Sequence, residues 1–188
     1  MSKVDEAFSK IKREDFLPAT QKPNANFDMA LPIGYGQTNS QPYTVRKMLN
    51  WLDVKVGQKI LDVGSGSGWT TALLSYLVGE KGKVYAVELV PELVDFGREN
   101  CLITGVKNVD FFQAGEIFGL PKYAPYDRIL VSAAADNLPN ELIDQLKENG
   151  KIVIPINNDI LEITKLENGN LKSISHPGFM FVPLIQNN

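Results

Sequence analysis

Hydrophobic positions divide the chain into a helical start, an irregular stretch, a long alternation of strands and helices, and a strand-rich end. Val4, Ala7, Phe8 and Ile11 recur at helical spacing and predict one amphipathic helix. Pro18 and Pro23 break that regularity, and 20–28 reads as loop. Residues 31–42, rich in Gly and Pro, read as a further loop. Val45, Met48, Leu49 and Leu52 then restore the helical period, with Pro42 suited to a first turn.

From Lys59 the pattern changes. Lys59–Val63 is a short apolar run ending in a Gly-rich turn, and 69–78 is helical. A strand follows at 83–88, then a helix over 91–104 opened by Pro91 and stopped by Gly105. Further strands are predicted at 108–112, 127–132 and 151–155, with a helix over Leu138–Leu146. This rhythm predicts an α/β, doubly wound, mostly parallel sheet with helices on both faces. After Pro155 the helical pattern ends. Residues 160–166 and 171–184, around an Asn168-Gly169 turn, predict two or three final strands, antiparallel at one edge.

With 188 residues the chain suits one domain, 1–188, in which 1–52 is an N-terminal extension. Net charge is -3, and no basic stripe recommends a nucleic acid. The pairs Lys12-Arg13 and Arg46-Lys47 read as solvated helix faces. Cys101 is the only cysteine, so no internal disulfide or thiolate metal cluster can form, and its neighbours Leu102 and Ile103 suggest a buried small hydrophobe. His176, the only histidine, reads as structural. No run suits a signal peptide or a bilayer span, so a cytoplasmic chain without a membrane partner is expected.

Candidate chemistry gathers at Leu61-Asp-Val-Gly-Ser-Gly-Ser-Gly-Trp. Gly64, Gly66 and Gly68 fall between strand and helix, where backbone must turn sharply and approach a ligand. Nucleotide-binding turns place two spacers before the third glycine, whereas this one reads GxGxG. Glu88 ends the next strand, twenty positions after Gly68, where a carboxylate can take both hydroxyls of a ribose. The glycine spacing weighs against a nicotinamide cofactor. It looks like the first motif of S-adenosylmethionine methyltransferases, with Asp62 in that motif's acidic place.

Three further stretches make the likeness narrower. Ile33-Gly-Tyr-Gly-Gln-Thr-Asn-Ser-Gln-Pro-Tyr is similar to the GQTISQP signature of the protein-L-isoaspartate O-methyltransferases. Ala124-Pro-Tyr-Asp-Arg-Ile-Leu-Val-Ser-Ala-Ala with Gly150-Lys-Ile-Val-Ile-Pro, and Phe181-Val-Pro-Leu with Arg13-Glu-Asp-Phe-Leu-Pro, resemble the same family, so the likeness runs from Arg13 to Leu184. It implies a seven-stranded Rossmann-like sheet and S-adenosyl-L-methionine as cofactor, leaving as S-adenosyl-L-homocysteine. The implied partner is an isoaspartyl-containing protein or peptide, met by a monomer.

By that resemblance Ser40 is the active-site residue, with Thr38 beside it, and Ile33, Gly34, Tyr35 and Gly36 close over the cofactor. Asp62, Gly64, Ser65, Gly66, Gly68, Glu88 and Leu89 would hold the cofactor from the sheet side. Two departures stand out. Asn39 occupies the family's Ile position, and the family's adenine-binding aspartate aligns with Gly115, leaving Glu116 one place late. The implied reaction methylates the α-carboxylate of an L-isoaspartyl residue. That acceptor is already ionised at pH 7, so neither a general base nor a metal is called for. Two other readings fit the residues: a methyltransferase of this fold acting on an aspartate of a dedicated peptide or another carboxylate, and a non-catalytic cofactor-binding module. Ser132-Ala-Ala-Ala, where amino-methylating nucleic-acid enzymes carry Asn/Asp-Pro-Pro-aromatic, argues against that class.

Overall fold

The computed structural model describes residues 2–186. Helix α1 (Lys3–Lys10) starts from a reciprocal cap. The Ser2 hydroxyl accepts from the Asp5 N–H at 3.1 Å, and the Asp5 carboxylate accepts from the Ser2 N–H at 3.1 Å. Val4 and Ala7 bury on the main core, and Phe8 meets Trp69 edge-on at 5.4 Å. Single 3-10 turns follow at Arg13–Phe16 and Lys22–Asn24.

The stretch read as a loop before Pro42 is in fact a small antiparallel hairpin, β1 (Leu31–Gly34) and β2 (Gln37–Asn39). Tyr35 and Gly36, both at positive φ, make its two-residue turn, the backbone hand that matches strand twist. The hairpin leads directly into α2 (Pro42–Leu52), with Pro42 in the first turn as its ring geometry favours.

The main sheet holds β3 (Lys59–Val63), β4 (Lys83–Glu88), β5 (Val109–Gln113), β6 (Tyr126–Val131), β7 (Leu146–Ile156), β8 (Asp159–Lys165) and β9 (Leu171–Pro177). Their spatial order is β5-β4-β3-β6-β7-β8-β9. Pairings are parallel from β5 through β7 and antiparallel for β7–β8 and β8–β9. Helices α3 (Trp69–Val78) and α4 (Pro91–Ile103) cross between β3, β4 and β5. Because successive strand residues face opposite ways, Ile60 joins the core under α2 and α3, while Leu61 and Val63 join a second core with Tyr126 and Leu142. Both faces are therefore apolar, as a covered parallel sheet requires.

Two expectations change at the C-terminal side. Only α5 (Asn140–Asp144) of the helix expected over 138–146 is helical. Gln145, 4% exposed, turns its side chain inward and takes the Leu120 N–H at 2.7 Å, and its carbonyl takes the Tyr126 N–H at 2.8 Å. The chain thus enters the sheet at Leu146, five residues earlier than expected. Leu146 pairs with Tyr126 and Lys151 with Arg128, so residues 147–150 bulge between them, with Asn149 at φ 59. After β9 the chain does not extend the sheet to 184. It turns at Gly178 (φ +93) and runs back across the strand ends, where the Ala134 N–H donates to the Val182 carbonyl at 2.8 Å and the Leu184 N–H to the Ala134 carbonyl at 2.7 Å.

Candidate active site

The strand order reverses beside β3: the chain steps outward from β3 through β4 to β5, then returns to β6 on the other side of β3. A crevice opens at the carboxyl ends of strands at such a point. Here it is a cavity of about 940 Å³, counted out to its open mouth. Its floor is Val63 to Ser67 after β3 and Val87 to Val90 after β4. One wall is 114–119 after β5, with Gly115, Ile117, Phe118 and Gly119. Ser132 and Ala133 close it behind β6. Gln37 to Ser40 and Val182 to Gln186 form its two rims.

The glycine turn is built by close approach. Gly64 and Ser65 both donate their N–H to the Val87 carbonyl, at 2.8 and 3.1 Å, which ties the turn to β4. Gly68 has φ +87, and a Cβ there would lie 2.9 Å from the Gly97 carbonyl oxygen of α4. The third glycine therefore serves helix packing rather than the cavity, which it does not line. Glu88 is 6% exposed, and its carboxylate accepts from the Gly66 N–H at 2.8 Å and the Val90 N–H at 3.0 Å. Two backbone donors thus fix its plane at the cavity edge, while a carboxylate offers about four acceptor positions in all.

Asp62 lies beneath the turn, fully buried, and does not line the cavity. Burial pushes its carboxyl up to about 7; the Thr71 hydroxyl, donating at 2.6 Å, opposes that rise and the Glu88 charge adds to it. Among the described side chains, Asp62 Oδ1, Ser65 Oγ and Trp69 Nε1 are buried with no hydrogen-bond partner in the chain, and Ser65 and Trp69 line the cavity. Buried polar atoms of this kind are costly unless something else pairs with them. An acid at the strand end, a free hydroxyl and a free indole N–H suit a ligand with a ribose and further polar groups, and S-adenosylmethionine is such a molecule.

Of the sequence-predicted residues, the structure brings Thr38, Ser40, Gly64, Ser65, Gly66, Glu88, Leu89 and Gly115 to one cavity. Others stand elsewhere. Ile33 is buried with Leu17, Leu31 and Leu93 beneath the hairpin, its Cδ1 placed 3.2 Å from where a Gly66 Cβ would stand. Gly34, Tyr35 and Gly36 form the exposed hairpin tip, with Tyr35 59% exposed. Glu116 is also exposed and outside the lining, its carbonyl accepting from the Gln186 amide.

Arg13 corrects a sequence reading outright. It is not on a solvated helix face but 7% exposed, since a short turn rather than a helix carries it inward. Its guanidinium donates to the carbonyls of Ala25, Phe27, Met29, Asn39 and Ser40 and, through Nε, to Asn39 Oδ1 at 2.7 Å. Burial pulls its pKa down to about 10, against the pull of Asp28, so it remains charged at neutral pH. Sequence reasoning also missed the Val182–Gln186 rim and Gly97. A glycine inside the predicted 91–104 helix was the one available signal for the latter. Cys101 is buried as expected, although the neighbours that suggested it, Leu102 and Ile103, are both 74% exposed, and burial pushes its thiol up to about 12. His176 stacks on Trp51 at 3.8 Å, away from the cavity. No helix among the described residues is long and apolar enough to cross a membrane.

Sheet order, glycine turn and strand-end carboxylate are together those of the Rossmann-like methyltransferases. A family model described as protein-L-isoaspartate(D-aspartate) O-methyltransferase matches residues 1–188. A protein-L-isoaspartate O-methyltransferase of Pyrococcus horikoshii is 43% identical over 188 residues, covering 97% of this chain and 84% of the relative. A solved protein-L-isoaspartate O-methyltransferase superposes with a TM-score of 0.90 at 28% identity, and this chain spans 62% of its length. Another, from Plasmodium falciparum and in complex with S-adenosyl-L-homocysteine, gives 0.86 at 27% identity, covering all of this chain and 92% of that one. The chain belongs to the protein-L-isoaspartate(D-aspartate) O-methyltransferase family.

Proposed function

We propose that this chain transfers a methyl group to the α-carboxylate of L-isoaspartyl residues in proteins and peptides. The observation that carries the reading is that Ser40 and Thr38 stand on the rim of the same cavity whose floor is the glycine turn and Glu88. S-adenosylmethionine supplies the methyl group, already activated on its sulfonium. Glu88 accepts hydrogen bonds from the ribose hydroxyls, and the Ser65 hydroxyl and Trp69 indole N–H meet further polar atoms of the cofactor. Gly115, which carries no side chain, leaves its stretch of wall to backbone and to Ile117 and Phe118.

The acceptor carboxylate needs no base, since it is ionised at neutral pH. The chain's contribution is alignment and exclusion of water. Ser40 donates its hydroxyl to one carboxylate oxygen and points the other toward the donor, and Thr38 bounds the same side. Residues 1–52 close the site and act with the sheet as one domain. The enzyme works as a cytoplasmic monomer on polypeptides, without nucleic acid.

The test is methyl transfer from labelled donor to an isoaspartyl peptide and to its aspartyl twin, scoring base-labile esters. Esters should form on the first and hardly on the second. Ser40→Ala should lower turnover by about ten-fold or more, the scale of one charge-assisted hydrogen bond, with cofactor affinity nearly unchanged. Equal methylation of both peptides overturns the substrate assignment, and wild-type turnover in Ser40→Ala removes Ser40 from the reaction.

A further inference from the structure

The acceptor side of the cavity and the donor side share no strand, yet one buried side chain ties them together. Asn39 ends β2, lines the cavity and is 5% exposed. Its Oδ1 accepts from Arg13 Nε at 2.7 Å, and its Nδ2 donates to Ser67 Oγ at 3.1 Å. Both halves of the amide are therefore committed, one to the N-terminal extension and one to the glycine turn. Arg13 Nη2 also donates to the Asn39 and Ser40 carbonyls, at 3.2 and 3.1 Å, so the guanidinium holds Asn39 by main chain and side chain and Ser40 by main chain. At the other end Ser67 is 2% exposed, and its carbonyl accepts from Asn100 Nδ2 of α4 at 3.0 Å. The tie is anchored firmly at both ends.

The donor-side turn does not depend on this tie. Gly64 and Ser65 donate to the Val87 carbonyl, Gly66 to Glu88, and Asn100 to Ser67. Among the described residues no other hydrogen bond joins the end of β2, whose next residue is Ser40, to the turn. Transfer between two bound groups is steep in distance and angle, and a displacement of about 1 Å can cost about a hundred-fold in rate. We infer that Asn39 is the positioning residue of the transfer, holding Ser40 in register with the donor-side turn through Ser67. The inference rests on reading Ser40 as the group that orients the acceptor.

Hydrogen-bond polarity supplies a rescue. A hydroxyl can donate or accept. In Asn39→Asp the carboxylate still accepts from Arg13, and the Ser67 hydroxyl turns round to donate, so the tie survives with its direction reversed. Asn39→Leu keeps the branching and the number of heavy atoms and removes the tie. Ser67→Ala cuts only the far end and leaves Arg13 bonded.

The experiment measures three quantities on each variant: turnover of an isoaspartyl peptide, calorimetric affinity for S-adenosyl-L-homocysteine, and amide hydrogen exchange of 37–40 in the presence of that ligand. Asn39→Leu and Ser67→Ala should each lose ten-fold or more in kcat while ligand affinity stays within three-fold. Both should also exchange 37–40 at least ten-fold faster than wild type. Asn39→Asp should recover kcat and protection to within three-fold, and the double variant should be no slower than Asn39→Leu. Wild-type kcat and wild-type protection of 37–40 in Ser67→Ala, a variant that leaves the Arg13 hub intact, would overturn the proposal. So would an Asn39→Asp variant as slow as Asn39→Leu. Should the wild-type chain bind the ligand and methylate no peptide, the functional reading fails separately, and the exchange measurement still decides whether the tie exists.

Discussion

Replacing Glu88 by Gln tests the cofactor reading where the geometry is tightest. The substitution keeps the shape and replaces one acceptor oxygen by an NH2. Both oxygens are in use, one for the Gly66 N–H and one for the Val90 N–H. In the variant one of these backbone donors must face another donor, and, if Glu88 meets the ribose as proposed, one ribose hydroxyl loses its acceptor. The folded protein should lose about 1 kcal/mol from the half-buried, unpaired N–H alone. Ligand binding should weaken by about 1.5–3 kcal/mol, the scale for a hydrogen bond to a charged group, or roughly ten- to hundred-fold in Kd. Calorimetric titration of S-adenosyl-L-homocysteine into both proteins reads the second quantity, and urea unfolding the first. A ligand lacking one ribose hydroxyl sharpens the comparison, because it should bind wild type more weakly and be less affected by the substitution. If the variant is folded and binds the intact ligand within two-fold of wild type, Glu88 does not meet the ribose and the cofactor lies elsewhere in the cavity.

Gly68→Ala combines a positive φ with a Cβ placed 2.9 Å from the Gly97 carbonyl, and should cost about 2–4 kcal/mol in urea unfolding. Gly115→Ala, where nothing stands within 4 Å and φ is ordinary, should stay within about 0.5 kcal/mol; equal losses would refute the close-approach argument. Asp62 should make the protein less stable as pH rises from about 4 to 7. Its folded pKa is raised from 3.8 to about 7, so the native state binds the extra proton across that window, stability falls throughout it, and the loss is complete above about 7. Asp62→Asn, which still accepts from Thr71, should match wild type near pH 4 and exceed it at pH 8 by an amount on the order of a few kcal/mol; parallel stability–pH curves would show that Asp62 ionises freely in the fold.

The alternating region was legible because its signals are local. A five-residue apolar strand, a GxGxG turn and a strand-end acid lie within thirty residues, and each dictates its own backbone. The hairpin at 31–39 was hidden because its strands are four and three residues long and interrupted by Pro32 and Gly34, which read as punctuation. Arg13 beside Lys12 looked like solvated charge, since nothing local announces that five carbonyls from residues 25–40 will gather round a guanidinium. The premature end of α5 depends on Gln145 reaching the 118–120 loop, and the Val182–Gln186 rim depends on Ala134. Local pattern fixed the cavity floor, whereas both rims come from contacts between distant residues.

Those rims have a consequence for biosynthesis. Residues 182–186 leave a ribosome long after 37–40, yet both border the space in which the reaction would run. Contacts across such sequence separation are the slow ones to form, and a growing chain cannot make them at all. A partly synthesised chain can complete β3 to β5 with the glycine turn and Glu88 in place while its cavity still stands open on the side that Val182 to Gln186 will cover. Closure of the cavity should therefore arrive as one late event, only after residues 182–186 have been made, well after the glycine turn and Glu88 have formed its floor.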